Sequence, residues 1–336
     1  MDVRNYAYAN ARIKAMEAKL LREQRVRELM QVKTMPEVIA LLEETAYKDA
    51  LVKASTKHSG VDVVLYGLQD DFDATIEKLS GIVPPVSKAA FDAVTADWEA
   101  AEVKNAILCK AQGTEVPKGR GRPSSLWKKI SKARNLDEAF DILATSVYSP
   151  EIMQVEGEFR KTKDFRLLLK AIDNHYYSGL AKLFKIAKDE TSIRLLRDKI
   201  SLANALIIMR MKRDSLTREQ IERELIPFPL SKRELELIDA KDLKACVEVM
   251  RRHGLPEDVA KECEASCSLS YLELQLQKQF TDKTLRLLRL SVLSFGVVLG
   301  YLYLKQTEVD NIKKIALGKA FGIEDEMQKA VYAINK

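Results

Sequence analysis

The chain has 336 residues, 46% apolar and 31% charged, enough for a sizeable core and inconsistent with global disorder. Its 55 bases against 49 acids leave a net charge of +6, a mixed surface and not the one-signed face of a dedicated polyanion binder. Few glycines and prolines favour helix, and four cysteines (Cys109, Cys246, Cys263, Cys267) are too few for a disulfide framework and point to a reducing compartment.

In chain order, MDVRNYAYANARIKAMEAK is charged and has no apolar signal core. Residues 5–32 carry Ile13, Met16, Leu20, Leu29 and Met30 on a helical period. Thr34 with Glu37 forms a capping box, and Pro36 falls in the first turn, where its missing N–H costs nothing. VDVVLY, 61–66, is the one strand-like stretch; it has no partner of similar quality, and a lone strand builds no sheet, so the fold class is all-α. Between Lys118 and Arg134 lie seven bases and no acid; glycine and proline there predict an exposed loop. Asn135 with Glu138 and Ser231 with Glu234 open further helices, and Gly254 followed by Pro256 stops one helix and starts the next. LSVLSFGVVLGYLYL, 290–304, is nearly apolar, but its fifteen residues fall short of the ~20 that span a bilayer. It reads as a buried core helix, in a protein that is soluble or peripheral to a membrane and does not cross it.

The chain also repeats itself. TEVDNIKKIALGKAFG (307–322) aligns with WEAAEVKNAILCKAQG (98–113), setting Glu308 on Glu99, Asn311 on Glu102, Lys319 on Lys110 and Gly322 on Gly113. ISLANALIIMRMKRDS (200–215) adds Asn204 and Lys212, and YANARIKAMEAKLL adds Asn10. The anchors Asn10, Glu102, Asn204 and Asn311 are 92, 102 and 107 residues apart. A second echo, LLEETAYKDAL (41–51) and ILATSVYSPEI (142–152), follows the first two anchors but not the third. A period near 100 residues is too long for a simple solenoid and predicts three similar helical domains with a fourth copy closing the arrangement. Asn10, Asn204 and Asn311 are expected to anchor packing within each domain, and Gly318 and Gly322 to serve backbone geometry and the helix stop.

YAYANARIKAMEAKLL with EVIALLEETAYKDAL, EVKNAILCKAQG, and above all GYLYLKQTEVDNIKKIALGKAFGI (300–323) resemble the central-stalk connector of V/A-type rotary ATPases and ATP synthases. That family is the C subunit of the archaeal and bacterial enzymes and the d subunit of the eukaryotic vacuolar enzyme. The resemblance touches both ends and the middle of the chain. Glu102 departs from it, since the family tends to have asparagine there, and the basic stretch 117–134 is not a family hallmark. What it implies is an all-α, funnel-like protein of three domains about a pseudo-threefold axis. The domains expected are 1–95, 96–197 and 198–300, with 301–336 closing the arrangement against the first. Further implications are no catalysis and no cofactor, a peripheral place on the cytoplasmic side of the membrane, and torque transfer that couples ATP hydrolysis or synthesis to proton or sodium transport. The partners implied are the central-shaft subunits and the membrane proteolipid ring.

Read directly, the residues contain no G-x-x-x-x-G-K-[ST] loop, no G-x-S-x-G elbow and no H-E-x-x-H. GKAFG at 318–322 reads as a helix C-terminus. His175 and Asp173 are two apart and diverge on a helix. Cys246, His253, Cys263 and Cys267 fall within 22 residues, but their spacing is wider than zinc knuckles use, and buried apolar cysteines are the simpler reading. The basic stretch leaves open a helical nucleic-acid-binding protein, though one short hook releases few counterions. For a protein beside a membrane, anionic headgroups are the better target for Arg120, Arg122, Lys128 and Lys129. No nucleic acid and no small-molecule ligand are expected as partners.

Overall fold

The computed structural model describes residues 6–116, 125–187, 189–266, 268–290, 294–323 and 331; these form helices, with no strand among them, so the chain is all-α. It divides into two compact units. The first takes Met1–Pro84, Asp189–Leu225 and Pro229–Lys336, the second Pro85–Lys188 with Ile226–Phe228. The expected borders at 95, 197 and 300 fall inside long helices.

The second unit runs α6 (Pro85–Gln112), α7 (Ser125–Lys132), α8 (Leu136–Ala144), α9 (Ser149–Thr162) and α10 (Phe165–Ala187). Long α6 lies on long α10, and the three short helices fold between them, each on the next. Val103, Ile107, Trp127, Ile130, Phe140, Phe159, Leu168 and Ile172 form its core. Phe140 stacks on Phe159 with 5.0 Å between ring centres.

In the first unit, α1 (Ala7–Glu17), α2 (Glu23–Gln31), α3 (Met35–Glu43), α4 (Lys48–Ser55) and α5 (Val61–Ile82) precede that excursion. After it come α11 (Glu190–Arg213), α12 (Arg218–Glu224), α13 (Lys232–Asp239), α14 (Leu243–Arg252), α15 (Glu257–Ser266), α16 (Leu269–Leu290) and α17 (Phe295–Phe321). Here α11 packs on α16 with α13, α14 and α15 between. The early helices α3, α4 and α5 pack in the same order, but their long partner is α17, which also touches α1 and α2. The last helix thus does for α2–α5 what α6 does for α7–α10 and α11 for α13–α16.

Four expectations are corrected. VDVVLY is the first turns of α5. Its β-branched residues read as strand in isolation, but the apolar positions continue as Val64, Leu68, Phe72 and Leu79, and Gly67 lets Leu51 of α4 close in. Residues 5–32 are two helices, because the backbone around Leu21 leaves the helix and donates its N–H to Glu308. The apolar run 290–304 is also divided: Leu290 ends α16 exposed, Ser294 precedes α17, and Phe295–Leu304 are its buried first turns. Finally, the basic stretch is helical from Ser125, because Trp127 and Ile130 bury one face there; Arg120 and Arg122 lie outside the described residues.

Candidate functional site

The repeat residues divide between helix stops and helix joints. Gly113 (φ +67°), Ser215 (φ +59°) and Gly322 (φ +69°) occupy one alignment position and one left-handed conformation. At each, the next N–H reaches back five residues: Thr114 to Cys109, Leu216 to Met211 and Ile323 to Gly318, at 2.9, 3.0 and 2.9 Å. These bonds are the signature of the Schellman turn. The third copy performs with serine what the others perform with glycine. Ser215→Gly is therefore expected to raise stability by about 1 kcal/mol, and Gly322→Val to lower it by about 1–2 kcal/mol, because only glycine enters this region without steric cost. Both appear as opposite shifts of the denaturant midpoint.

Lys110, Lys212 and Lys319 stand three residues before those stops, where a cation meets the negative end of the helix. Lys319 Nζ also crosses to α2, donating to the carbonyls of Met30 (3.0 Å) and Val32. The α3 capping box follows directly: the Thr34 and Lys33 N–H groups donate to Glu37, and with the Lys319 charge they hold its carboxyl below the usual range. Arg134 and, more weakly, Lys110 do the same to Glu138 at the start of α8. Asn204 is buried and donates to Glu234 Oε1 at 3.1 Å, while Glu234 also accepts the Ser231 N–H at 2.7 Å, so α11 is tied to the cap of α13. Asn10, Asn311 and Gly318 are buried, and Glu102 is half-buried.

A buried polar joint under α17 was not anticipated from sequence. Tyr47 donates to Glu308 Oε1 at 2.5 Å. Lys305 Nζ donates to the Tyr47 hydroxyl (2.8 Å) and to Glu308 Oε1 (3.2 Å), and pairs with Asp71 Oδ2 at 2.9 Å. The Lys305 ammonium also lies 4.0 Å from the Tyr47 ring centre. Leu21 N–H fills the second Glu308 oxygen. Tyr47, Lys305 and Glu308 are each 5% exposed or less. Burial first, and then the Glu308 carboxylate, hold the Tyr47 hydroxyl far above its usual range. One carboxylate thus joins α17, the start of α4 and the turn before α2.

The second unit carries a sister joint. Tyr148 precedes α9 as Tyr47 precedes α4, and burial with Glu99, Asp173 and Asp97 pushes its hydroxyl up to about 12. Lys104 Nζ donates to Asp173 Oδ1 at 2.6 Å. The partner of His175 is Glu151, 2.8 Å away on α9, and not Asp173. Both echoes seen in the sequence, Glu308 with Glu99 and Tyr47 with Tyr148, meet in these joints. The signal was that the two echoes recur together.

Between α11, α16 and α17 lies an open groove of about 560 Å³ whose charged lining is Lys199, Glu273, Asp310, Lys313 and Lys314. Lys199 sits 4.7 Å from the Tyr303 ring centre, and burial raises the Asp310 carboxyl. The groove has both signs of charge and does not reach Tyr47 or Glu308. Cys246 and Cys263 are buried thiols pushed up to about 11 by burial, and His253 faces Glu236 at 3.3 Å; Cys267 lies outside the described residues. Among the described residues no group of histidine, cysteine and carboxylate side chains converges to hold a metal. No described helix is long and apolar enough to cross a membrane.

The sequence profile of the ATP synthase (C/AC39) subunit family matches residues 9–330. Among similar proteins, the A-type ATP synthase C subunit of Desulfurococcus sp. (strain SY) is 30% identical over 341 aligned positions, covering 96% of this chain and 89% of that protein. The protein of the same name from Thermococcus onnurineus shows the same identity and coverage. The one from Pyrococcus abyssi is 26% identical over 336 positions, again with 96% and 89% covered.

Proposed function

This chain belongs to the ATP synthase (C/AC39) subunit family, and from that premise we propose that it is the non-catalytic central-stalk subunit of a rotary V/A-type ATPase or ATP synthase. In this reading it links the rotating shaft to the membrane proteolipid ring on the cytoplasmic side. It hands torque across, so that ATP hydrolysis or synthesis is coupled to proton or sodium movement. The supporting observation is the recurring plan of a long helix, three short ones and a long helix, with α17 completing the first copy. Three similar helical bundles are part of the same proposal.

A torque coupler must be stiff, because a soft one stores energy as twist before the ring moves. Close-packed helices have low compressibility. Polar joints such as the buried Tyr47–Glu308–Lys305 and the half-buried Lys104–Asp173 pair resist shear by fixing the register between helices, where apolar packing alone tolerates sliding. Docking to other parts of the rotor calls for complementary charge more than for reactive groups, and the mixed-sign groove between α11, α16 and α17 is suited to it.

Affinity purification of the tagged chain from native membranes tests the reading. Nucleotide-binding subunits and a small proteolipid are expected to co-isolate with it. Recovery of the chain without either would overturn the assignment.

A further inference from the structure

We propose that the outer face of α7 is a contact surface for an anionic lipid bilayer. Trp127 and Ile130 bury the inner face of this helix, while Lys128, Lys129 and Lys132 lie off that face, all three exposed. Among the described residues none of the three lysines takes part in an ion pair, and Arg134, just beyond, is held by Glu138 at 3.1 Å.

The sister helices show that packing does not demand this charge. On α2, Arg25 pairs with Glu28 and Glu44, and Arg27 with Glu23. On α13, Lys232 faces Glu236. Both occupy the place α7 occupies in its own bundle, and both do so with balanced charge. Lys128 and Lys132 are four apart on one helix face, a like-charge pair that weakens the helix slightly. The fold therefore bears a small cost for a base excess that its packing does not use.

A lipid surface fits this face better than a folded partner or a duplex. Three bases on one short helix offer few phosphate contacts, too few for useful affinity to nucleic acid at cellular salt. A bilayer supplies a diffuse negative potential that needs no registered partner. For a rotor part that sweeps past the membrane, as the proposed function has it, a contact without register is the kind that does not stall rotation. Each base close to such a surface strengthens binding about fivefold, so three contribute about a hundredfold.

The test is co-sedimentation of the full-length chain with phosphatidylcholine vesicles containing about one third phosphatidylglycerol, against pure phosphatidylcholine, at low and high salt. Binding is expected only to the anionic vesicles and should weaken as salt rises. Lys128→Gln/Lys129→Gln/Lys132→Gln should lose about a hundredfold, whereas Lys128→Arg/Lys129→Arg/Lys132→Arg should keep it. Lys57→Gln/Lys241→Gln/Lys244→Gln changes net charge equally at exposed sites in the first unit and should also keep it. Equal loss in that control, or unchanged binding in the α7 triple glutamine variant, would overturn the proposal. So would tighter binding to duplex DNA than to the vesicles at physiological salt. Because the isolated chain is used, failure here with intact co-isolation removes the lipid contact alone, while failed co-isolation removes the rotor reading.

Discussion

Glu308→Leu should destabilise the first unit by about 3–5 kcal/mol, the usual loss when one partner of a buried charge pair is removed. The side chain is 2% exposed and receives Tyr47 O–H, Lys305 Nζ and Leu21 N–H. Its loss leaves a buried hydroxyl and a backbone donor without their acceptor and leaves the buried Lys305 ammonium with Asp71 as its one remaining carboxylate in the joint, and each unsatisfied group carries a desolvation penalty. Lys305→Met with Glu308→Leu should recover part of the loss, because a buried pair replaced by apolar groups is often close to neutral, but not all of it, since Asp71 then loses its ammonium partner. Two probes localise the effect. Both tryptophans, Trp98 and Trp127, lie in the second unit. Far-UV circular dichroism should show an earlier first step in urea, while the tryptophan fluorescence midpoint stays in place. A single variant as stable as the parent would show that the joint does not hold α17.

Gly296→Ala should cost about 1–3 kcal/mol, the penalty of forcing a group into a filled core, although alanine is ordinarily the better helix former. A Cβ at Gly296 would lie 2.4 Å from Thr191 Cγ2, 2.7 Å from Thr191 Cβ and 3.3 Å from the Ser192 nitrogen. The starts of α11 and α17 meet here on one buried carboxylate. Asp189 accepts the N–H of Thr191 (3.1 Å) and Ser192 (3.3 Å), and also that of Gly296 (3.2 Å) on α17. A methyl group parts the two helices and pulls Gly296 N–H off the carboxylate. Thr191→Ala in the same chain removes the closest contact and should restore part of the stability. A higher thermal midpoint for Gly296→Ala alone would mean that the two helix starts yield easily, contrary to this account.

What the sequence disclosed and what it hid follow from the range of the interactions. The capping boxes at Thr34 and Ser231 and the N-cap at Asn135 are where the residues predict them, since donor and acceptor are three positions apart. The Gly113 and Gly322 stops are equally local. Ser215 shows the limit: a serine held at φ +59° by the same turn carries no glycine signature, and only alignment to its sisters marks the position. The break between α1 and α2 depends on Glu308, 287 residues from Leu21, so no window near residue 21 contains its cause. Tyr47 and Glu308 are likewise 261 residues apart. The helix at 125–132 was obscured by Gly119, Gly121 and Pro123 just upstream, which carried the loop reading past the point where Trp127 and Ile130 resume a helical period. Fold class and the repeat were thus legible from local chemistry and composition, whereas the joint under α17 and its sister in the second unit were visible only as coincident echoes.

Single-particle reconstruction of the enzyme purified through this chain tests the central claim most directly. The account predicts density for the chain between the shaft and the proteolipid ring, with α17 seated on α2–α5. A chain found on the outer stator, or absent from an otherwise complete and active complex, would contradict it.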